Sequence, residues 1–276
     1  MNRLLLCTDL DRTLIPNGSQ SESPGAREIF SRLVDTEGVK LVYVTGRHRA
    51  LIEQAMDAYQ LPLPDFAIAD VGSTIYQLDG GAWKQWQAWD DEIAPDWQGH
   101  STEILHSLLA DIALLQLQEQ EKQNRHKLSY YLPLGHNHQT VMAEIEKRLQ
   151  ARKIRANLIW SVDEAKNMGL LDILPASANK LHAITFLMRQ CGYNDEHTIF
   201  AGDSGNDLDV LLSPVQAVLV ANADSEVRSA TQGSAKQNLY LARGGFLNMN
   251  GCYSAGILEG IAYYRPEFVP LIESLR

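Results

Sequence analysis

Leu4-Leu5-Leu6-Cys7-Thr8-Asp9-Leu10-Asp11-Arg12-Thr13, near the start of the chain, is an unbroken apolar run that ends on two carboxylates one residue apart. Such a run is what a strand buried on both faces requires, the habit of a parallel sheet covered by helices. Two similar runs follow at helix-sized intervals, Leu41-Val42-Tyr43-Val44 and Phe66-Ala67-Ile68-Ala69. Between the first two, Ser23-Pro24 reads as a cap and a first-turn proline, and Ala26, Ile29, Phe30, Leu33 and Val34 then recur at helical spacing. Leu51, Ala55, Ala58 and Tyr59 mark a second helix, closed off by Pro62 and Pro64. The pattern is βαβαβ.

The pattern resumes late in the chain. Leu170 to Leu174 reads as a strand, Asn179 to Arg189 as a helix and Thr198-Ile199-Phe200-Ala201 as a strand. A short helix from Asp207 to Leu212, a strand Ala217-Val218-Leu219-Val220 and a helix from Ile257 to Tyr264 complete it. Residues 81–168 have a different texture. Trp83, Trp86 and Trp89 cluster there, an expected cover for a domain junction. An amphipathic helix is expected through Ile104, Leu105, Leu108, Leu109, Ile112 and Leu115, and the Gln/Glu-rich stretch Gln116 to Gln123 reads as its solvated end. A strand at Lys127 to Leu132, a helix around Val141 to Leu149 and a strand at Asn157 to Trp160 follow. The expected organisation is an α/β core of one Rossmann-like parallel sheet, residues 1–80 and 169–276, carrying an inserted α+β domain at 81–168.

The chain has 276 residues, 24 Lys and Arg against 34 Asp and Glu, and a net charge of −10. That balance argues against nucleic acid as a partner, since such binding rests on cations neutralising phosphates. A locally positive or metal-loaded site for a small anion stays open. Three cysteines, Cys7, Cys191 and Cys252, have no metal-ligand spacing and fit a reduced, cytoplasmic setting. No apolar run approaches the ~20 residues of a membrane span. A monomer that does not engage membranes is the expectation.

The polar clusters all sit immediately after buried strands. Strand one runs into Asp9 and Asp11, strand two into Thr45-Gly46-Arg47, and the strand at Thr198 to Ala201 into Gly202-Asp203-Ser204-Gly205-Asn206-Asp207. Open parallel sheets bind ligands beyond the carboxyl ends of their strands, so the three clusters should converge. Asp9, Asp11, Asp203 and Asp207 together would resist ionisation without a cation. Hard oxygen ligands in small number suit Mg²⁺ completed by a substrate phosphate. Thr45 offers a hydroxyl, and Lys180 a compact positive charge at a helix start. The inventory suits phosphoryl transfer through an aspartyl-phosphate.

Each piece alone has a plainer explanation: a lone Asp-x-Asp is often a cap or an ion loop, and Gly-Asp-Ser-Gly-Asn-Asp alone could be a tight turn. Joint placement at strand ends is what raises the functional reading. Elsewhere the plain explanation prevails. His136 and His138 have no acidic or cysteine partner nearby and read as a solvated loop, and Cys7 as a small buried hydrophobe.

Asp9-Leu10-Asp11-Arg12-Thr13, Thr45-Gly46-Arg47, Lys180 and Gly202-Asp203-Ser204-Gly205-Asn206-Asp207 resemble the four motifs of the haloacid dehalogenase (HAD) superfamily of phosphatases. The resemblance implies Asp9 as nucleophile, Asp11 as general acid/base, and Thr45 with Lys180 as the phosphate-holding pair. It implies Mg²⁺ on Asp9, the Asp11 carbonyl and Asp203, with Asp207 in support. The insertion between Thr45 and Lys180 resembles the large α/β cap of the type IIB (C2) branch. Within that branch Val71-Gly72-Ser73-Thr74-Ile75-Tyr76, Lys127-Leu128-Ser129-Tyr130, Leu171-Asp172-Ile173-Leu174-Pro175 with Asn179-Lys180, and Ala255-Gly256-Ile257-Leu258-Glu259 resemble the sucrose-6-phosphate phosphatases. The chain departs from them at Gly169-Leu170-Leu171, where a Lys-Asp pair is expected, and at Leu181, where Gly is usual. The implied activity is hydrolysis of sucrose-6-phosphate. Substrate contacts are then expected at Thr45, Gly46, Arg47 and Asn206, and at Lys127, Ser129, Tyr130 and Asp172, which would choose the sugar. Rivals are a phosphatase for mannosylfructose or glucosylglycerol phosphate, a phosphomutase, and a non-catalytic partner of a sugar-phosphate synthase.

Overall fold

A computed structural model describes residues 3–163, 166–232 and 238–276. Among the described residues, twelve strands run in order: β1 (Leu4–Thr8), β2 (Val39–Val44), β3 (Phe66–Ala69), β4 (Thr74–Asp79), β5 (Ala82–Gln85), β6 (Gln116–Leu117), β7 (Leu128–Pro133), β8 (Ala156–Asp163), β9 (Met168–Pro175), β10 (Thr198–Gly202), β11 (Gln216–Leu219) and β12 (Leu239–Leu241). The helices are α1 (Ala26–Val34), α2 (Arg49–Tyr59), α3 (Gln87–Ile93), α4 (Thr102–Leu109), α5 (His138–Ala151), α6 (Lys180–Cys191), α7 (Leu208–Leu211), α8 (Ser225–Gln232), α9 (Ser254–Tyr264) and α10 (Val269–Ser274).

Eight strands form one sheet in the order β12-β11-β10-β1-β2-β3-β4-β5, parallel from β12 to β3 and antiparallel beyond. Strand β1 is buried throughout, and its alternation divides the core. Leu4 and Leu6 pack with α1, α2 and α9 on one face, whereas Leu5 and Cys7 pack with α3 and α6 on the other. Chain order reverses on either side of β1, which is the switch point where such sheets bind ligands. The four remaining strands, β6-β7-β9-β8, form an antiparallel sheet with α4 and α5 packed on one face. This is the HAD core with a cap.

Sheet pairing moves both expected borders of the cap. Strand β5, beyond residue 80, extends the core sheet, and Trp86, Trp89 and Ile93 pack into the core around Phe66 and Phe186. The tryptophans therefore seal the core's edge, and Trp83 lies against Tyr76 there. At the other border β9, read as a core strand from its apolar run, pairs with β7 and β8 along its whole length. Its apolar positions are used on two sides: Leu171 and Ile173 fill the cap interior, while Leu174 reaches the core.

Local chemistry shifts three other expectations. Helix α1 begins at Ala26 behind Gly25, because the Ser23 hydroxyl is spent on the Asn250 side chain instead of capping. Helix α4 stops at Leu109, where Arg148 takes the Leu108 carbonyl and pairs with Asp111. Gln116 to Gln123 is no helix end. Gln116 and Leu117 form β6, Gln118 is buried, and the Gln123 amide bonds both the N–H and the carbonyl of Ser129.

Candidate active site

Asp9 follows β1 directly, and its N–H donates to the Ala201 carbonyl of β10, which fixes the two strand ends side by side. Asp203 follows β10 and Thr45 follows β2. The three expected clusters meet in a cavity of about 280 Å³ whose lining includes Asp9, Asp11, Thr45, Arg47, Asp203 and Asn206, all from the core.

Lys180, the first residue of α6, ties together three side chains of the site. Its buried ammonium donates to Asp9 Oδ1 at 2.8 Å, Asp207 Oδ1 at 2.7 Å and Asn206 Oδ1 at 3.3 Å. Burial disfavours the charge, but Asp207 and Asp9 outweigh it and hold Lys180 protonated well above the usual range. Asn179 caps α6 by accepting from the His182 N–H, which aims the helix start and Lys180 at the strand ends.

Asp207 is a positioning group more than an open ligand. Its Oδ2 accepts from the Asp203 and Ser204 N–H groups, and its Oδ1 is taken by Lys180. The close approach demands a glycine: a Cβ on Gly202 would stand 2.6 Å from Asp207 Oδ2. Asp203 is different. Its Oδ1 accepts from Thr13, but its Oδ2 is buried with no hydrogen-bond donor, and the Arg12 Nε stands 3.3 Å away. Oxygens of Asp9, Asp203 and Asp207 lie within 4.8 Å of one another. Burial, with Asp207 and Asp203 nearby, pushes Asp9 up to about 8 despite Lys180, and burial with Asp207 pushes Asp203 to about 6. An orphaned carboxylate oxygen beside a second carboxylate that resists ionisation is the donor set a hard divalent cation satisfies. The residues fit Mg²⁺.

Asp11 stands at the cavity mouth, partly exposed. Arg47 clasps it with two bonds, Nε to Oδ2 at 2.8 Å and Nη2 to Oδ1 at 2.7 Å, and Asn17 adds a third. Burial raises this carboxyl, but the Arg47 bonds and charge and the Asn17 bond prevail and set it below the usual carboxylate range. Thr45 is buried and its Oγ1 accepts from the Arg47 N–H, while Gly46 and Asn206 are exposed at the rim. Arg47, expected on substrate, is thus turned to Asp11.

The cap candidates separate by strand alternation. Leu128, Tyr130 and Leu132 point into the cap interior, where the Tyr130 ring is 1% exposed and its hydroxyl meets His106 Nδ1 at 2.8 Å. Tyr130 therefore offers nothing to a sugar here, which corrects its inclusion with Ser129: neighbours in a strand face opposite sides. Ser129 and Asp172 are register partners on the other face, bonded Oγ to Oδ1 at 2.5 Å. Lys127 is buried, with its ammonium 3.1 Å from Asp70 Oδ1 and 3.7 Å from Asp172 Oδ2.

Asp70 escaped the sequence reading, although it follows the apolar run of β3 just as the other cluster residues follow theirs. Asp70, Val71 and Gly72 have φ of 52°, 59° and 96°, a left-handed run that costs about 1–3 kcal/mol for each non-glycine residue. The tertiary contacts holding it are numerous. The Asp70 N–H donates to the Arg47 carbonyl and the Val71 N–H to the Thr45 carbonyl, and Trp89 Nε1 donates to the Gly72 carbonyl. A Cβ on Gly72 would meet the Asn179 carbonyl carbon at 2.5 Å.

The family model for sucrose-6F-phosphate phosphohydrolase matches residues 2–265. A HAD-like hydrolase of Nitrosococcus oceani is 55% identical over 96% of this chain and 72% of its own length. The mannosylfructose-phosphate phosphatase of Agrobacterium fabrum is 27% identical over 94% of this chain and 96% of its own. Among solved structures, the sucrose-phosphatase of Synechocystis sp. PCC6803 in complex with sucrose and phosphate superposes with a TM-score of 0.73 at 26% identity, covering 96% of this chain and 98% of that one. With the strand-end carboxylates, the lysine hub and the cap in place, the chain belongs to the sucrose-6F-phosphate phosphohydrolase family of HAD phosphatases.

Proposed function

We propose that the protein is a Mg²⁺-dependent phosphatase that hydrolyses sucrose-6-phosphate to sucrose and phosphate. The observation that carries the reading is the buried Asp9, held by Lys180 beside the orphaned oxygen of Asp203 at the switch point of the sheet. Asp9, Asp203 and the Asp11 carbonyl would hold the ion, with Asp207 orienting Asp203 and Lys180. Bound there, Mg²⁺ supplies charge that keeps Asp9 ionised and stabilises the negative charge of the phosphoryl group.

Asp9 attacks phosphorus, forming an aspartyl-phosphate as the bond from phosphorus to the sugar oxygen breaks. Asp11 gives that oxygen a proton, then takes one from the water that hydrolyses the aspartyl-phosphate. In the arrangement seen here Arg47 keeps Asp11 ionised, the form that accepts a proton from water. Donation to the sugar oxygen requires the clasp to loosen as substrate enters. Thr45, Gly46, Arg47, Asn206 and Lys180 provide the donors for the phosphoryl oxygens.

At about 280 Å³ the cavity is smaller than the ~300–1,000 Å³ typical of small-molecule pockets, and the cap contributes no lining residue. A phosphoryl group fits; the sugar must extend toward the cap, where Asp172 is partly exposed and held by the buried Ser129. Likeness to the Agrobacterium enzyme over nearly its whole length favours mannosylfructose phosphate as the second reading. Phosphate release from a panel of sugar phosphates decides between them. The proposal expects sucrose-6-phosphate to have the highest kcat/KM, and a preference for another glycoside phosphate overturns it. No release from any member, with phosphate still bound, would leave the non-catalytic partner of a synthase.

A further inference from the structure

Cap and core meet at a buried polar junction that the chemistry above does not use. From the cap, Lys127 Nζ donates to Asp70 Oδ1 at 3.1 Å, and Asn124 Nδ2 donates to Asp70 Oδ2 at 3.1 Å and Thr74 Oγ1 at 3.2 Å. Both oxygens of a carboxylate only 3% exposed are thus occupied by cap residues. On the core side, the same residue's N–H holds the Arg47 carbonyl at 3.0 Å, and its neighbour Val71 holds the Thr45 carbonyl at 3.1 Å. Gly72 abuts Asn179, the residue before Lys180. One short left-handed segment therefore touches the cap, the Thr45–Arg47 turn and the start of α6.

Ordinary packing at a domain junction needs no ion pair, and a buried one is no efficient source of stability. A backbone held left-handed by contacts on both sides is instead suited to transmit position, because it relaxes if either side lets go. We propose that Asp70 is a positioning residue for phosphate binding: the Lys127 and Asn124 contacts set the 70–72 segment, and that segment sets Thr45, Arg47 and the approach of Lys180. The inference rests on the phosphatase reading but not on which sugar is the substrate. Its consequence is that substitutions in the cap alone alter affinity for a phosphate that touches no cap residue.

Calorimetric titration of inorganic phosphate into the protein with Mg²⁺ tests this, alongside titration of Mg²⁺ alone. Lys127→Met and Asp70→Asn cut the junction from either side. Each is expected to weaken phosphate about fivefold or more, the lower range of coupling between sites, with Mg²⁺ affinity unchanged. The double variant is expected to be no weaker than the worse single, since both remove one link. Asn124→Asp, a partly exposed change that sets a second carboxylate against Asp70, provides the same readout should Lys127→Met not fold. Folded cap-side variants with phosphate affinity within about twofold of wild type overturn the proposal. So does equal loss of phosphate and Mg²⁺ affinity, which marks general damage. A wild-type protein that binds no phosphate overturns the phosphatase reading as well, whereas binding in the wild type with indifferent variants overturns the link alone.

Discussion

The two sheets use their polar residues in opposite ways. In the eight-stranded core sheet the strands that lead to the site, β1, β2, β3 and β10, are apolar but for Thr8, Lys40 and Thr198, and the chemistry sits just past their ends, at Asp9, Thr45, Asp70 and Asp203. In the four-stranded cap sheet polar groups stand within the strands, Ser129 on β7 and Asp172 on β9, alternating with residues of the cap interior. A sheet buried on both faces leaves polar side chains to its strand ends, whereas the cap sheet, with α4 and α5 on one face, sets Ser129 and Asp172 on the other, where Ser129 is buried and Asp172 partly exposed. The core can thus hold a fixed phosphoryl site, while the cap carries polar groups within its strands.

Substitutions in the core should therefore act on every phosphomonoester alike. Asp9→Asn keeps shape and a hydrogen-bonding group but removes the nucleophilic oxygen. It is expected to lower phosphate release about 10⁴-fold, the scale of losing one essential catalytic side chain, with sucrose-6-phosphate and p-nitrophenyl phosphate equally affected. More than about a tenth of wild-type turnover in that variant would remove Asp9 from the role. Chelation comes next. EDTA should cost about three orders of magnitude, as expected when several kcal/mol of charge stabilisation is lost, and Mg²⁺ should restore the rate on both substrates. Ca²⁺ should not, because its longer bonds and higher coordination number misplace Asp9 relative to phosphorus. Full activity in chelator, or with Ca²⁺ alone, breaks the comparison at its core side.

The polar groups of the cap sheet should instead separate substrates. Ser129→Ala deletes the hydroxyl that fixes Asp172 at 2.5 Å, so the carboxylate is no longer aimed. A polar group misaligned for a sugar hydroxyl costs about 1–3 kcal/mol, and kcat/KM for sucrose-6-phosphate should fall roughly tenfold or more. Hydrolysis of p-nitrophenyl phosphate, which has no sugar hydroxyls, should stay near wild type. Equal losses on both substrates would deny the cap face its selective role.

The same contrast explains what could be read in the sequence. Core strands announce themselves as apolar runs, and polar residues placed jointly behind several of them point to a site; Asp9, Thr45 and Asp203 were grouped that way. Asp70 met the same criterion, but no partner in sequence drew attention to it, because Lys127 and Asn124 reach it from more than fifty residues away. Strand β9 misled because a run that serves the cap interior with one face and touches the core with the other looks like a strand buried in a parallel sheet. Arg47 lines the cavity, but its clasp on Asp11 depends on side-chain direction, which spacing does not encode.

The mildest change probes the alternation itself. Tyr130 and Ser129 are adjacent in one strand, and a one-residue difference in register would exchange their faces. The Tyr130 hydroxyl meets His106 in the cap interior, on the same face as Leu128 and Leu132. Tyr130→Phe keeps the ring and its packing, so the loss is one internal hydrogen bond. Stability should drop by about 1 kcal/mol, read as a small fall in Tm, if His106 finds water in place of the phenol. No kinetic constant should change for sucrose-6-phosphate or for p-nitrophenyl phosphate, because the deleted oxygen faces neither the cavity nor the side of the cap sheet that carries Ser129 and Asp172. A selective loss on the sugar phosphate would put Tyr130 on the substrate face. Ser129 and Asp172 would then have to point inward, and the division between a shared phosphoryl site and a selective cap face would have to be redrawn around the opposite side of the cap sheet.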